Sequence, residues 1–158
     1  MKVHVYEKAW MGACVVLIIV FVSTILLTSW TMRMHPPSHM EIIDPAKVND
    51  DPRFANPGVT VRADGTRVIM IAEMWTFIPN EITVPAGRPV TFRLTSPDVI
   101  HGFEIVGTNV NTMVVPGYVS QLSTTFQHPG EYLIVCHEYC GAGHHTMQAK
   151  LVVTGAGS

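Results

Sequence analysis

The sequence predicts an all-β domain, a sandwich or barrel of short antiparallel strands, carried behind a single membrane-spanning helix. Three observations predict it. Charged residues are absent from one long N-terminal stretch. After residue 57, short runs rich in Val, Ile and Thr recur at the spacing of ~8–12 residues expected of sandwich strands. Gly, Pro and Asp separate those runs. A length of 158 residues is that of about one domain on the scale of ~150 residues per domain, so an anchor leaves room for one small core.

Apolar residues make up 47% of the chain and charged residues 14%, a low charge content for a soluble protein until the charges are mapped. No charged residue lies between Lys8 and Arg33, and Trp10 to Trp30 reads WMGACVVLIIVFVSTILLTSW. As a helix rising ~1.5 Å per residue, this run covers ~30 Å, the thickness of a bilayer's hydrocarbon core. A tryptophan at each end suits the headgroup level, and charges stand just outside. A cleaved signal peptide is the alternative. Its apolar region is typically ~7–15 residues long and ends in a small-x-small site, whereas no such pattern follows Trp30 before the prolines begin. The stretch reads as an uncleaved anchor. Lys2 and Lys8 precede it while Arg33 and then Lys47 follow, so the distribution of positive charge says little about orientation.

From His35 to Asn56, Pro36, Pro37, Pro45 and Pro52 are interleaved with Ser, Asp and Asn, and no apolar period emerges. That is the composition of a linker. The expected organisation is 1–34 for the N-terminal segment and anchor, 35–57 for a linker, and 58–158 for the β domain.

Within the domain, runs at 59–62 and 67–71 flank Asp64-Gly65, residue types that tolerate positive φ and suit a hairpin turn. Further strands are expected at 81–84, 89–95, 102–106, 112–115, 119–126, 131–136 and 148–153. Pro85-Ala86-Gly87, Pro116-Gly117 and Pro129-Gly130 fall between them, as in a meander or Greek key of antiparallel strands.

The chemistry is concentrated in VCHEYCGAGHHTM, residues 135–147, between two expected strands. Cys136 and Cys140 could form a disulfide in an oxidising compartment, but that accounts for two residues of the set. Thiolate, imidazole and thioether together suit copper, and a His-Cys-His-Met set is that of a blue-copper electron-transfer site. One blue copper uses one thiolate. A second cysteine four residues on is surplus unless both sulfurs bridge a pair of metal ions, and a pair needs a second terminal imidazole from elsewhere. His101, in the loop TSPDVIHGFEI after the strand at 89–95, is the candidate, since loops at strand ends commonly carry function. Taken alone, a histidine in a loop is more often a bystander.

P-D-V-I-H-G-F followed by C-x-x-x-C-x-x-x-H-x-x-M resembles the CuA domain of cytochrome c oxidase subunit II. With one anchor helix rather than two, and the stretch SPDVIHGFEIVGTNVN, the chain is most similar to the B-family (cytochrome ba-type) haem-copper oxidases. The resemblance implies a cupredoxin-like Greek-key sandwich. It implies a two-copper CuA centre with Cys136 and Cys140 as bridging thiolates, His101 and His144 as terminal imidazoles, Met147 as a weak axial thioether and the Glu138 backbone carbonyl as the other axial donor. In many family members a glutamate at this place also reaches Mg²⁺ or Mn²⁺ at the border with subunit I, though B-family relatives can lack it; a surface carboxylate satisfying the loop is the alternative for Glu138. Trp75, in AEMWTFIPNEI, falls where the family places an aromatic residue near the point at which electrons arrive from cytochrome c, with core packing as the alternative. His137 and His145 receive no metal role from the motif. Cys14, alone on the apolar helix, behaves as a small hydrophobe.

The implied function is electron acceptance from cytochrome c and delivery to the haem of oxidase subunit I, with no catalytic acid, base or nucleophile on this chain. The implied setting is the plasma membrane of a prokaryote, in contact with lipid, with the copper domain outside. From His35 onward 11 acidic side chains stand against 7 basic ones, a net of −4. That balance favours a cationic partner and disfavours nucleic acid. A tethered mononuclear cupredoxin and a copper-delivery or storage protein are the rival classes; the second cysteine argues against the first and the compact spacing against the second. A quinol-oxidising relative would lack the ligands, while a CuA-bearing nitric oxide reductase subunit shares them.

Overall fold

A computed structural model of the chain describes residues 4–31 and 41–155. The chain falls into two units, Met1–Ser38 and His39–Ser158. The first is a helix, α1 (Val5–Thr31), with no buried residue. It starts a turn before the apolar run. The hydroxyls of Thr24, Thr28 and Thr31 donate to the carbonyls of Val20, Thr24 and Leu27 at 2.8–2.9 Å, so the helix satisfies these polar groups internally, as lipid requires.

The second unit contains eleven strands among the described residues. These are β1 (Glu41–Ile42), β2 (Gly58–Arg62), β3 (Gly65–Glu73), β4 (Thr76–Ile78), β5 (Glu81–Pro85), β6 (Pro89–Thr95), β7 (His101–Ile105), β8 (Asn111–Val114), β9 (Tyr118–Thr125), β10 (Gly130–Val135) and β11 (Gln148–Thr154). One sheet runs β1-β9-β6-β3-β2 with β4 paired to β3; the other runs β5-β11-β10-β7-β8. The β2–β3 turn is Ala63-Asp64 rather than Asp64-Gly65, because Gly65 already pairs with Arg62. Gly65 is needed there: its φ is +151° and a Cβ would lie 2.8 Å from the Pro89 carbonyl oxygen. Two pairings depart from the antiparallel expectation, since β3 runs parallel to β6 and β5 parallel to β11. After β4 the chain crosses to the opposite sheet for β5 and returns for β6, which therefore lies alongside β3 in the same direction.

Alternation builds the core between the sheets. Val68, Met70 and Ala72 of β3, Val90, Phe92 and Leu94 of β6, Phe103 and Ile105 of β7, Ile134 of β10 and Leu151 and Val153 of β11 all point inward and are buried. Phe92 and Phe103 meet at 5.6 Å between centroids and Phe77 meets Phe103 edge-on at 5.7 Å, geometries that add to the burial of the rings.

Part of the segment expected to be linker packs on the β domain. Residues 35–40 lie outside the described residues, but 41–42 extend the first sheet at its edge and 43–54 form a third layer on its outer face. β1 pairs with β9, and a short 3₁₀ helix (Pro45–Asp50) is capped by the Asp44 carboxylate. Ile43, Val48 and Phe54 are buried with Ile71 and Val119, flanked by Ile69 and Ile78. Three well-spaced apolar residues among prolines suffice for this, because the strand beneath supplies the rest of the apolar surface. It also explains why β3 reads as a continuous apolar run: both of its faces are covered.

Ion pairs pin this layer. Arg53 bonds both Asp51 and Glu41, Arg93 of β6 also bonds Glu41, and the Arg93 guanidinium lies 5.8 Å from the Phe54 ring centroid. Hydrogen bonds from the Arg53 side chain and backbone hold the Asp51 carboxyl down at about 2, from an ordinary 3.8. Burial pushes Glu41 up, but hydrogen bonds from Arg53 and Arg93 outweigh it and hold Glu41 below its ordinary 4.5. Depressed folded-state values mean stability present at neutral pH and lost as pH falls through them. The difference in urea midpoint between the native chain and Arg53→Met is expected to shrink as pH drops from about 4.5 toward 2. A pH-independent difference would remove the ion pairs as its cause.

Candidate metal centre

The strand alternation that fills the core also carries the donor atoms to its end. His101 opens β7 on the same face as Phe103 and Ile105, Cys136 follows β10 two residues after Ile134, and Met147 precedes β11 two residues before Ala149. All four of the flanking residues are buried. The β10–β11 ladder extends past the strand ends through Cys136 N–H to the Met147 carbonyl at 3.2 Å. Between these positions the chain makes a loop closed by His144 N–H to the Gly141 carbonyl at 3.0 Å and a short 3₁₀ turn over His144–Thr146.

The donors converge. His101, Cys136 and Cys140 are buried and place their ligand atoms within 4.8 Å of one another. The two cysteines are unbonded to each other, with sulfurs 3.8 Å apart. His101 Nδ1 lies 3.9 Å from Cys136 Sγ and the Glu138 carbonyl oxygen 3.2 Å from the same sulfur. His144 Nδ1 lies 3.5 Å and Met147 Sδ 3.7 Å from Cys140 Sγ. Each sulfur thus has one imidazole and one weaker donor at hand. Tyr139 meets the His144 ring edge-on at 5.9 Å. Burial, and then the neighbouring Cys136, push the Cys140 thiol up to about 11, so at neutral pH a metal must displace its proton. Soft sulfur with imidazole in a dry pocket fits copper.

One residue that the sequence reading passed over holds the site together. Asp98, three positions before His101, accepts from His101 Nε2 at 2.9 Å, from the Ser96 hydroxyl at 2.9 Å, and from the Met74 and Val99 N–H groups at 2.6 Å each. Burial pushes its pKa up, but these bonds, that of His101 first, hold it below the ordinary value. An ionised Asp98 keeps the proton on Nε2 and leaves Nδ1 free to bind a metal, the usual outer-shell arrangement for a ligating histidine. The signal was available in the spacing Asp-x-x-His but is too common to read alone.

The remaining expected residues sit apart from the donors. His145 and His137 are exposed; the His137 ring packs on Gly102, where a Cβ would be 2.5 Å from its Nδ1. The Glu138 side chain is exposed. Trp75 is not a core residue: 42% of it is exposed, and its Nε1–H donates to the Cys140 carbonyl at 3.1 Å.

A cupredoxin-like sandwich that gathers thiolate, imidazole and thioether at one end, on a chain with an apolar helix of spanning length, defines a membrane-anchored copper protein. The family model for the periplasmic domain of cytochrome c oxidase subunit II matches residues 58–154. A cytochrome c oxidase subunit 2 of Thermus thermophilus is 40% identical over 153 residues, 94% of this chain and 91% of the relative. A cryo-EM structure of a haem-copper terminal oxidase dimer contains a chain 33% identical, with a TM-score of 0.74 over 94% of this chain and 99% of that one. The periplasmic domain of subunit II of cytochrome oxidase from Bradyrhizobium japonicum, 20% identical with a TM-score of 0.54 over 61% of this chain and 88% of that one, shares the fold. The chain belongs to the cytochrome c oxidase subunit II family. As subunit II of a haem-copper oxidase it is part of an oxidoreductase complex with a subunit I, and its helix and periplasmic domain make it a single-pass membrane protein.

Proposed function

We propose that this subunit holds a binuclear CuA centre and is the point at which a c-type cytochrome delivers electrons, which pass on to the haem of subunit I. Cys136 and Cys140 would bridge, His101 and His144 would be the terminal ligands, and Met147 and the Glu138 carbonyl the weak axial donors. The observation that carries this is the distribution of donors: two sulfurs 3.8 Å apart, each with its own imidazole, one thiolate more than a mononuclear blue-copper site uses. When bound, a thiolate-bridged copper pair supplies one-electron chemistry with the charge spread over both ions. The chain's own contribution is rigidity. His101 is fixed by Asp98 and the other donors leave buried strand ends, so little moves when the charge changes.

Around this end of the domain Met74, Trp75, Ile100, Met113 and Tyr139 are exposed, an apolar rim suited to a transient protein partner, while the acidic balance of the domain suits a cationic one. Trp75, bonded to the Cys140 backbone, is our candidate for the place where electrons arrive. The exposed Glu138 carboxylate is a hard oxygen donor fit for Mg²⁺ or Mn²⁺ at the border with subunit I. We place the domain start at residue 41 rather than 58, since 41–54 share its packing. Lipid contact follows from α1, and the prokaryotic plasma membrane, with the domain on the outer face, is the setting we infer.

The test is electron paramagnetic resonance with copper quantitation on the full chain in detergent, loaded with copper. The expected result is an unpaired electron shared by two equivalent copper nuclei at two coppers per chain. A single localised copper would replace this reading with a mononuclear carrier, and no stable copper would end it.

A further inference from the structure

Gly143 has a backbone that any residue adopts, φ −90° and ψ 6°, so its turn does not require glycine. Its missing side chain is explained by Trp75 instead. A Cβ on Gly143 would lie 2.5, 2.6 and 2.8 Å from Cδ2, Cγ and Cε3 of the indole, and one on Gly141 would lie 3.0 Å from Nε1. Both glycines belong to the turn that separates Cys140 from His144. The same indole donates to the Cys140 carbonyl at 3.1 Å. Its own backbone is tied to the other ligand loop, because the preceding residue, Met74, donates its N–H to Asp98, the carboxylate that holds His101.

We propose that Trp75 is a positioning residue of the metal loop: the indole seats in the Gly141–Gly143 cradle and clamps the Cys140–His144 spacing to the His101 loop before a metal arrives. This rests on reading Cys140 and His144 as copper ligands. It goes beyond a rim aromatic, because it assigns the N–H and the ring face separate duties. The N–H fixes the carbonyl of one ligand residue, and the ring face leaves no room for a side chain at Gly143. A phenylalanine would keep the second duty and lose the first.

The test is a double-mutant cycle on the full chain, reading copper release to a Cu(I) chelator together with the copper hyperfine pattern. Loss of one net hydrogen bond in Trp75→Phe is expected to speed release roughly 2- to 10-fold, and Trp75→Ala by more. Gly143→Ala should speed release in the native background, where its methyl displaces the indole, and have little further effect on Trp75→Ala, where the space is open. The same four chains without metal supply an independent readout: hydrogen exchange of the amides of 141–147 should accelerate in each single variant. Equal effects of Gly143→Ala in both backgrounds, or unchanged release and exchange in Trp75→Ala, would overturn the clamp. If the native chain itself shows no shared spin, the copper reading fails, while the exchange cycle still decides the clamp.

Discussion

Cys136→Ser is expected to abolish the two-copper centre outright, with copper falling to one ion or fewer per chain and the shared hyperfine pattern lost. A serine hydroxyl is a hard donor that stays protonated near neutral pH, so it cannot bridge two soft ions as a thiolate does. The neighbouring donors gain no substitute: Cys140 keeps His144 and Met147 within 3.7 Å, but His101 and the Glu138 carbonyl are left facing the hydroxyl. The fold should survive. Cys136 is buried at the end of the core, and exchanging sulfur for oxygen there leaves the strands and their ladder intact. Far-UV circular dichroism on the same preparation separates loss of the site from loss of the domain. Full retention of the shared signal would show that Cys136 is not a bridge.

His144→Ala is expected to destroy the centre, and His145→Ala, one residue on, to leave copper content and spectrum near those of the native chain. The motif spacing gives the role to His144 alone, and the surroundings of the two rings differ. His144 turns its Nδ1 to within 3.5 Å of Cys140 Sγ and rests against the Tyr139 ring, whereas His145 is exposed. Removing an imidazole that directly ligates costs far more than the roughly 10–100-fold typical of an outer-shell partner, while removing a solvated one costs almost nothing. Copper per chain after dialysis against a chelator is the measurement. The opposite pattern, with His145→Ala losing copper and His144→Ala keeping it, would shift the ligand register by one residue.

Much of this was legible in the sequence because it is encoded locally. An uncharged run bracketed by tryptophans specifies a spanning helix by length and composition alone. Eight of the nine strands expected from β-branched runs fall on observed strands within a residue or so at each end, and the ninth, at 67–71, lies inside a longer one. The spacing C-x-x-x-C-x-x-x-H-x-x-M confines four donors to one loop, so their proximity needs no tertiary argument. What sequence could not supply arises between distant segments. Residues 41–54 look like linker because their three buried apolar side chains are partnered by Ile71 and Val119, far along the chain. The short strands β1 and β4 are too brief to show a period and exist because a neighbouring strand edge accepts them. Asp98 and Gly143 carry no distinctive local signal; their roles depend on His101, Met74 and Trp75 being brought to them.

The sequence by itself determined the apolar helix, the all-β class and the candidate donors of the loop at 136–147, since each is legible from residue identity and spacing along the chain. Only the tertiary structure decided what holds the His101 ring in place, why a glycine stands at 143 and that the connecting segment is a packed layer. Those are statements about groups distant in the chain meeting at a few ångströms, and the burial of the core is what offsets the entropy of bringing them there.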